Sequence, residues 1–553
     1  MSDAFEHSVD LESIDETRGL GRRTFLMGAL ATGAAVSGPF NYAAAARKRA
    51  LPMANDGAFR TGVASGFPRP QGIPLWTRLA GLKQDAKLDL VIAKDRKFAN
   101  VVEERKVVAQ KKRDYTARTF VNDLDPDEQY FYRFSTNESH SEVGRFKTAP
   151  PKDSRKPVKI VFYSCQHFEQ GYYNAQRAIA KEKDVDVVVF LGDYIYEYSN
   201  NETSRGVLDR TGRNKDGDVQ FVDEYWQKYK LYKNDRDLRA MHAAHPFVAV
   251  WDDHEVEDNH AGDEPSSAQP DPNKTNLQEY PRRVPYNTRR LNGYKAFFNY
   301  MPRMRFKGDR SRIYEDYRIG KLVDLLLTDE RQYRDRQPCD DEIITQCAEA
   351  DDPRTMLGAN QLDWFLRSLK HSKATWKIWG TQLMLMATRV APGPSPPGIY
   401  GLVDSWEGYG YERKLILDFI LGNNIQNVAA ITGDIHTFFA GTAFDKGDST
   451  DSSARPVIPE FVGGSATSGG LSEATGLPAS ALAGLAAVNP HISYYDFIKK
   501  GYGVLKVKPN EIICEFKTVD HTKPNAGTAT TSASFRVPLG ARSPQKITGS
   551  NNP

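Results

Sequence analysis

Four short segments carry side chains able to bind cations or move protons, and each directly follows an apolar run. In Ser164-Cys165-Gln166-His167 a thiol stands two residues before an imidazole. A cysteine at a strand end is most simply a small buried hydrophobe, and it is a nucleophile only with a base and a lowered pKa. Gly192-Asp193-Tyr194-Ile195-Tyr196 sets a carboxylate behind a glycine that permits a tight turn. That carboxylate suits a multivalent cation, and the Tyr196 phenol is near enough to approach the same ion. The plain alternative is an aspartate capping a helix, with the tyrosines as packing. Trp251 to His260 is the densest segment, with eight of its ten residues carboxylates, histidines or an asparagine. Like charges so crowded repel, and a bound cation is the simplest compensation. In Gly433-Asp434-Ile435-His436 the carboxylate and imidazole are two apart and share a face if the segment is extended. Such an oxygen–nitrogen pair suits a transition metal, the alternative being a surface aspartate and a satisfied core histidine.

Together the four segments supply what a two-metal hydrolytic site requires. Adjacent cations hold a phosphoryl group, generate hydroxide near neutral pH and neutralise charge in the transition state, while a neighbouring histidine protonates the leaving oxygen. The elements that must position them are apolar runs at Val158–Tyr163, Val185–Leu191, Phe247–Trp251, Leu322–Leu327, Trp376–Gly380 and Val428–Thr432. Such runs predict strands buried on both faces, in a layered α/β core. Ligands of such sheets lie off the carboxyl ends of the strands.

Ahead of this core, residues 50–150 alternate in short segments separated by turn signals, as a small all-β domain does. Leu124 to Tyr132 has the pattern of the tyrosine corner of fibronectin-like sandwiches, and Pro150-Pro151-Lys152-Asp153 reads as a linker to a catalytic domain at 155–540. Residues 1–46 read as an address. Arg22-Arg23, an apolar stretch from Met27 to Val36 and Ala43 to Ala46 describe a twin-arginine export signal, the apolar run falling short of the ~20 residues of a membrane span. The expected location is periplasmic or extracellular, with the twin-arginine machinery as export partner. The 553 residues, 40% hydrophobic and 26% charged, suffice for two domains and a large core. A net charge of +3 without a Lys/Arg run gives no reason to expect a stable nucleic-acid partner, and no stable membrane partner is expected. Four cysteines are too few for a disulfide framework, although Cys339 and Cys347 could close a short ring.

The ordered set S-C-Q, G-D-Y-I-Y, W-D-D-H-E-V, L-L-T-D-E-R-Q-Y-R, G-T-Q and G-D-I-H resembles the PhoD family of alkaline phosphatases and phosphodiesterases. The resemblance implies a four-layer αββα metallophosphoesterase core, similar to calcineurin-like and purple acid phosphatases, behind a small fibronectin-like domain. It implies hydrolysis of phosphate monoesters, diesters or both, with a ferric ion beside two calcium ions. Carried over by position, Cys165 is a thiolate ligand, Asp193 a bridging carboxylate and Tyr196 a phenolate ligand to iron. Asp252, Asp253 and Asn259 serve calcium, Asp434 and His436 complete the shell, and His254 contacts phosphate as the catalytic histidine. The family pattern E-N-N is here Glu257-Asp258-Asn259, so Asp258 either strengthens the calcium side or points outward.

Around the site, Arg331 is the expected substrate contact, with Arg334 beside it; the alternative for both is a structural ion pair. Asp404 to Tyr409 is an aromatic-rich loop that either lines the cleft or simply packs. Phe461 to Gly470 is glycine-rich without a phosphate-loop lysine, so it is no nucleotide cradle. Two competing classes remain: a non-catalytic binder of phosphorylated polymers, and a cysteine-dependent hydrolase using Cys165 and His167.

Overall fold

The computed structural model describes residues 51–551, apart from 202–203, 266–281, 389–398, 448–450, 477–483 and 485–487. The expected export segment, residues 1–46, lies outside the described residues. All six apolar runs are strands, at Val158–Tyr163, Val187–Leu191, Phe247–Val250, Val323–Leu327, Trp376–Thr381 and Val428–Thr432. They fall into two seven-stranded mixed sheets. In the first sheet Phe247–Val250, Val187–Leu191 and Val158–Tyr163 are parallel neighbours. The sheet continues antiparallel through Lys500–Lys508, Glu511–Val519, Thr530–Pro538 and Gln545–Thr548. In the second, Val323–Leu327, Trp376–Thr381, Val428–Thr432 and Pro456–Gly463 are parallel, with antiparallel edges at Glu315–Ile319, Phe438–Phe444 and Ile492–Asp496.

The sheets pack face to face. Gly463 lies where a Cβ would come within 3.0 Å of the Phe162 ring, and the Trp376 indole N–H crosses to the Lys508 carbonyl at 2.8 Å. One apolar cluster fills this interface and runs outward to helices Val222–Lys233, Arg236–Ala244 and Tyr286–Tyr300. A second joins the other sheet to helices Gly358–His371 and Gly410–Gly422. Because the strands in each parallel set run the same way, their carboxyl ends share one rim. No described helix is long and apolar enough to cross a membrane.

Residues 63–147 form two antiparallel sheets of three and four strands around their own core. The Tyr130 hydroxyl accepts the Asp125 backbone N–H at 2.9 Å, pinning the turn that leads into its strand. This module sits on the first sheet's helices: the Trp76 indole donates to the Asn299 carbonyl at 2.8 Å and Arg118 to the Phe298 carbonyl at 2.6 Å.

Candidate metal and active site

Each chemically active segment leaves its strand through a sharp turn. Gly192 has φ +102°, and a Cβ there would lie 2.3 Å from the Asp252 Cβ, so only glycine lets two strand ends converge. Cys165, Asp193, Asn259, Asp434 and His436 all have φ between +48° and +61°. The left-handed region costs an L-residue ~1–2 kcal/mol, and a site where five such residues meet is one the surrounding structure holds against the backbone's preference. Asp434 and His436 therefore do not share a face of extended chain, as their spacing suggested. Two left-handed residues turn them toward different groups.

Those groups are distinct. The Cys165 Sγ, an Asp193 carboxylate oxygen and a His436 nitrogen lie within 4.8 Å of one another, and the Tyr196 hydroxyl is 3.2 Å from Asp193 Oδ2 and 3.1 Å from His436 Nε2. Asp252, Asp253 and Asp434 make a second group within the same limit, and Asp193, Asp253 and His254 a third that joins them. Asp193 belongs to both the first and the third. Asn259 adjoins the second group, its backbone N–H donating to Asp253 Oδ2 at 2.7 Å.

Electrostatics favour cations here. Asp193 Oδ1, Asp252 Oδ2 and Asp253 Oδ1 are buried without a hydrogen-bond partner, an arrangement that costs free energy unless something cationic meets them. Burial pushes Asp252 up to about 6 against the pull of Arg331, and holds Asp434 well above the carboxylate range. The Cys165 thiol is pushed up by burial and then by Asp193, and the Tyr196 phenol likewise by burial and Asp193; each needs a cation to ionise. His436 is driven down to about 3 by burial and Lys500. It donates from Nδ1 to the Gly469 carbonyl at 2.6 Å, so the Nε2 lone pair faces the group. Sulfur, phenol, imidazole and carboxylate donors on one side, and carboxylates on the other, fit bound metal.

His254 behaves differently. Burial opposes its charge, but Asp253, Glu197 and Asp193 outweigh it and hold the imidazole well above its ordinary value. Nδ1 lies 2.9 Å from Glu197 Oε2. Nε2 lies 3.7 Å from Asp258, whose side chain keeps 29% of its surface. Asp258 is thus part-exposed and stands beside His254.

Arg331, expected at the substrate, lies beneath the carboxylates. It has no exposed surface; Nε is hydrogen-bonded to Asp252, Nη1 to Asp404 at 2.8 Å and Nη2 to Asp434 at 3.2 Å. Arg334 is bound to Asp404 at 2.6 Å. All three Arg331 nitrogens are committed to neutralising carboxylates, so its role is the structural ion pair. In the aromatic-rich loop, Trp406 and Tyr409 are fully buried and only Asp404 serves the site. A Cys165–His167 nucleophile pair is disfavoured too: the thiol donates to Ser164 Oγ at 3.0 Å, and the His167 Nδ1 lone pair is taken by the Glu169 N–H at 3.2 Å.

Several further side chains support the site in ways local spacing does not show. Ser468 Oγ lies 2.7 Å from the Tyr196 hydroxyl, which gives the glycine-rich segment a part in the site. Glu255 gathers the backbone N–H groups of Asp193, Tyr194 and Asp252 at 3.1, 2.6 and 2.8 Å, tying two strand ends together. Gln382 does the same between sheets, donating to the Trp251 and Thr328 carbonyls. Ser468 and Gln382 act on partners 272 and 131 positions away, and Glu255 is one carboxylate among several in its segment, so local pattern does not mark these roles.

The PhoD-like phosphatase model matches residues 160–516, and its N-terminal-domain companion matches 44–150. Alkaline phosphatase D of Bacillus subtilis (strain 168) is 32% identical over 503 residues, covering 88% of this chain and 82% of that protein. A solved PhoD structure superposes with a TM-score of 0.78 at 30% identity, over 91% of this chain and 94% of that one. A purple acid phosphatase from yellow lupin seeds shares the fold, with a TM-score of 0.50 at 12% identity over 86% and 73% of the two chains. Site geometry, family match and relatives agree: the chain belongs to the PhoD-like phosphatase family, whose members are phosphoester hydrolases.

Proposed function

We propose that the protein is an exported phosphoesterase for phosphate mono- or diesters, with a ferric ion held by Cys165, Asp193, Tyr196 and His436 and calcium held by Asp252, Asp253, Asn259 and Asp434. The observation that carries this is the partition of donors, softer and phenolic on one side and oxygen-rich on the other, around the shared Asp193. Thiolate and phenolate suit a trivalent transition ion, and a crowd of carboxylate and amide oxygens suits calcium. Bound there, the cations would supply Lewis acidity toward phosphoryl oxygens and acidify a water.

The chain's own residues do the rest. Arg331 holds three carboxylates in fixed relation. The part-exposed Asp434 and His436 side chains, 26% and 23% open, mark the mouth through which an ester enters. His254, held protonated between Glu197 and Asp258, presents Nε2–H to the phosphoryl group or the leaving oxygen. Reading the first module as fibronectin-like is supported by its two antiparallel sheets and the Tyr130 bond, and the αββα reading by helices against both sheets. Export to the periplasm or exterior rests on the Arg22-Arg23 pair, the apolar stretch Met27 to Val36 and the alanines at 43–46.

The test is metal analysis of the full chain alongside hydrolysis of a chromogenic phosphodiester before and after chelation. Chelation should abolish turnover, and undiminished hydrolysis by metal-stripped protein would overturn the proposal. Iron bound by a phenolate absorbs visible light, so the protein should be coloured and Tyr196→Phe should shift or remove the band. Zinc without iron in protein from its native host sinks the ferric assignment and leaves metal dependence standing.

A further inference from the structure

The turn Pro338–Asp341 is built against the backbone's preference. Cys339, Asp340 and Asp341 are three consecutive non-glycine residues at φ +52°, +52° and +62°, a run that persists only where neighbours over-determine it. Two features do so. The Cys339–Cys347 disulfide closes the segment across eight positions and packs with Ala350 and Val403. Between the cysteines, strand Ile343–Gln346 pairs antiparallel with Ile399–Leu402.

The turn's polar groups act on the site. Asp341 Oδ2 accepts the Asn259 side-chain amide at 2.7 Å. Gln337, one residue before the turn, donates to the Asn259 carbonyl at 2.6 Å and to Asp404 Oδ1 at 2.7 Å. Asn259 is itself left-handed, at φ +48°, and its N–H is bound to Asp253. It is therefore gripped by Asp253 from one side and by the disulfide-closed segment from the other.

We infer that the Cys339–Cys347 ring is a redox-closed clamp that positions Asn259, so that the carboxylate-rich side of the site binds its cation at full strength only when the ring is oxidised. This rests on Asn259 being a ligand on that side. Closure is a thiol–disulfide exchange: the Cys339 and Cys347 thiols pass their hydrogens to an external disulfide, the S–S bond forms, and two thiols are released from the oxidant. Access is open, since part-exposed Cys339 lines an open groove with Asp335, Arg336, Asp340 and Arg354. Neither remaining cysteine competes, as Cys165 and Cys514 are free and buried.

The full chain is compared oxidised, reduced with dithiothreitol, and as the Cys339→Ser/Cys347→Ser double variant. Calcium affinity is read by competition with a chelating dye, and amide hydrogen exchange is followed at Asn259 without added metal. Losing a partner that orients a ligand costs 10–100-fold in metal affinity, so reduction should weaken calcium binding by about 10-fold and speed exchange at Asn259, leaving strand Val158–Tyr163 unchanged. Oxidised glutathione should restore the wild type and not the double variant. Asp341→Ala should loosen Asn259 with the ring intact, which keeps the proposal testable if the double variant fails to fold. Equal calcium affinity and equal exchange in oxidised and reduced protein overturn the clamp. If no form binds calcium, the calcium assignment falls and the exchange rates alone decide the clamp.

Discussion

Glu197 is an acceptor set between two donors. Its Oε1 takes the Asp258 backbone N–H at 2.8 Å and its Oε2 lies 2.9 Å from His254 Nδ1. Glu197→Gln keeps the size, but the one amide oxygen must serve the backbone N–H, which turns the amide nitrogen toward the imidazole. His254 then loses the partner that holds its second proton. The expected result is a kcat lower by roughly 10²-fold, the lower end of what a positioned acid contributes, with metal content and unfolding midpoint unchanged. A fall in stability as large as the fall in activity would make Glu197 merely structural. Arg331 gives the opposite forecast. Arg331→Met strands buried carboxylates and should destabilise the fold by about 3–5 kcal/mol, read from urea midpoints; Lys should not rescue it, lacking the fork that reaches three partners. A raised KM at unchanged stability would return Arg331 to the substrate. The metal-group residues were legible because each lies in a dense local motif. Glu197, Ser468 and Asp341 were not, because their partners His254, Tyr196 and Asn259 are 57, 272 and 82 positions away.

Strand ends, rather than strands, are where this fold is intolerant of change. Gly192→Ala would force a left-handed alanine at φ +102° and drive its Cβ into Asp252. The expected cost is at least ~2 kcal/mol, accompanied by loss of bound metal, checked by denaturation and elemental analysis; a stable, metal-replete variant would show that the two ends can move apart. The six strands behind the site were readable to within about two residues because burial on both faces leaves unbroken apolar runs. The antiparallel strands beside them were not. Glu315–Ile319 alternates buried and open residues, and Glu511–Val519 does likewise over nine positions, patterns that fix a strand but not its neighbour. Asp434 and His436 were misplaced for a related reason: two-residue spacing implies a shared face only in extended chain, and nothing local announces φ +61° and +54°.

Across the molecule, the contact between the first module and the core buries a lysine. Lys233 has its ammonium 4.7 Å from the Trp76 ring centroid and 5.0 Å from that of Tyr194, with His242 Nε2 at 3.5 Å. Burial drives it down to about 7 from 10.5. Between those values the unfolded chain binds more protons than the folded one, so this group's contribution makes stability rise as pH rises from about 7 toward 10.5. Lys233→Met should flatten that part of the curve and leave the variant more stable than wild type below neutrality. Urea midpoints at acidic, neutral and alkaline pH check it, and parallel curves for both proteins would refute it. The two-module layout could be anticipated from alternation giving way to apolar runs. The residues joining the modules could not, since the Trp76 indole and the Asn299 carbonyl it binds lie 223 positions apart.

The pairing of Val158–Tyr163 with Lys500–Lys508 also governs the order of events on the ribosome. The strand that ends in Cys165 gains Val187–Leu191 early, but its other edge stays open until the chain has been made past Lys508. Contacts of such long separation form slowly. Until then an apolar strand edge is exposed, the kind of surface that pairs with other chains. The thiol's surroundings therefore cannot be complete until the chain has been made past Lys508. A message truncated before Lys500 would yield not a weaker enzyme but an aggregating one.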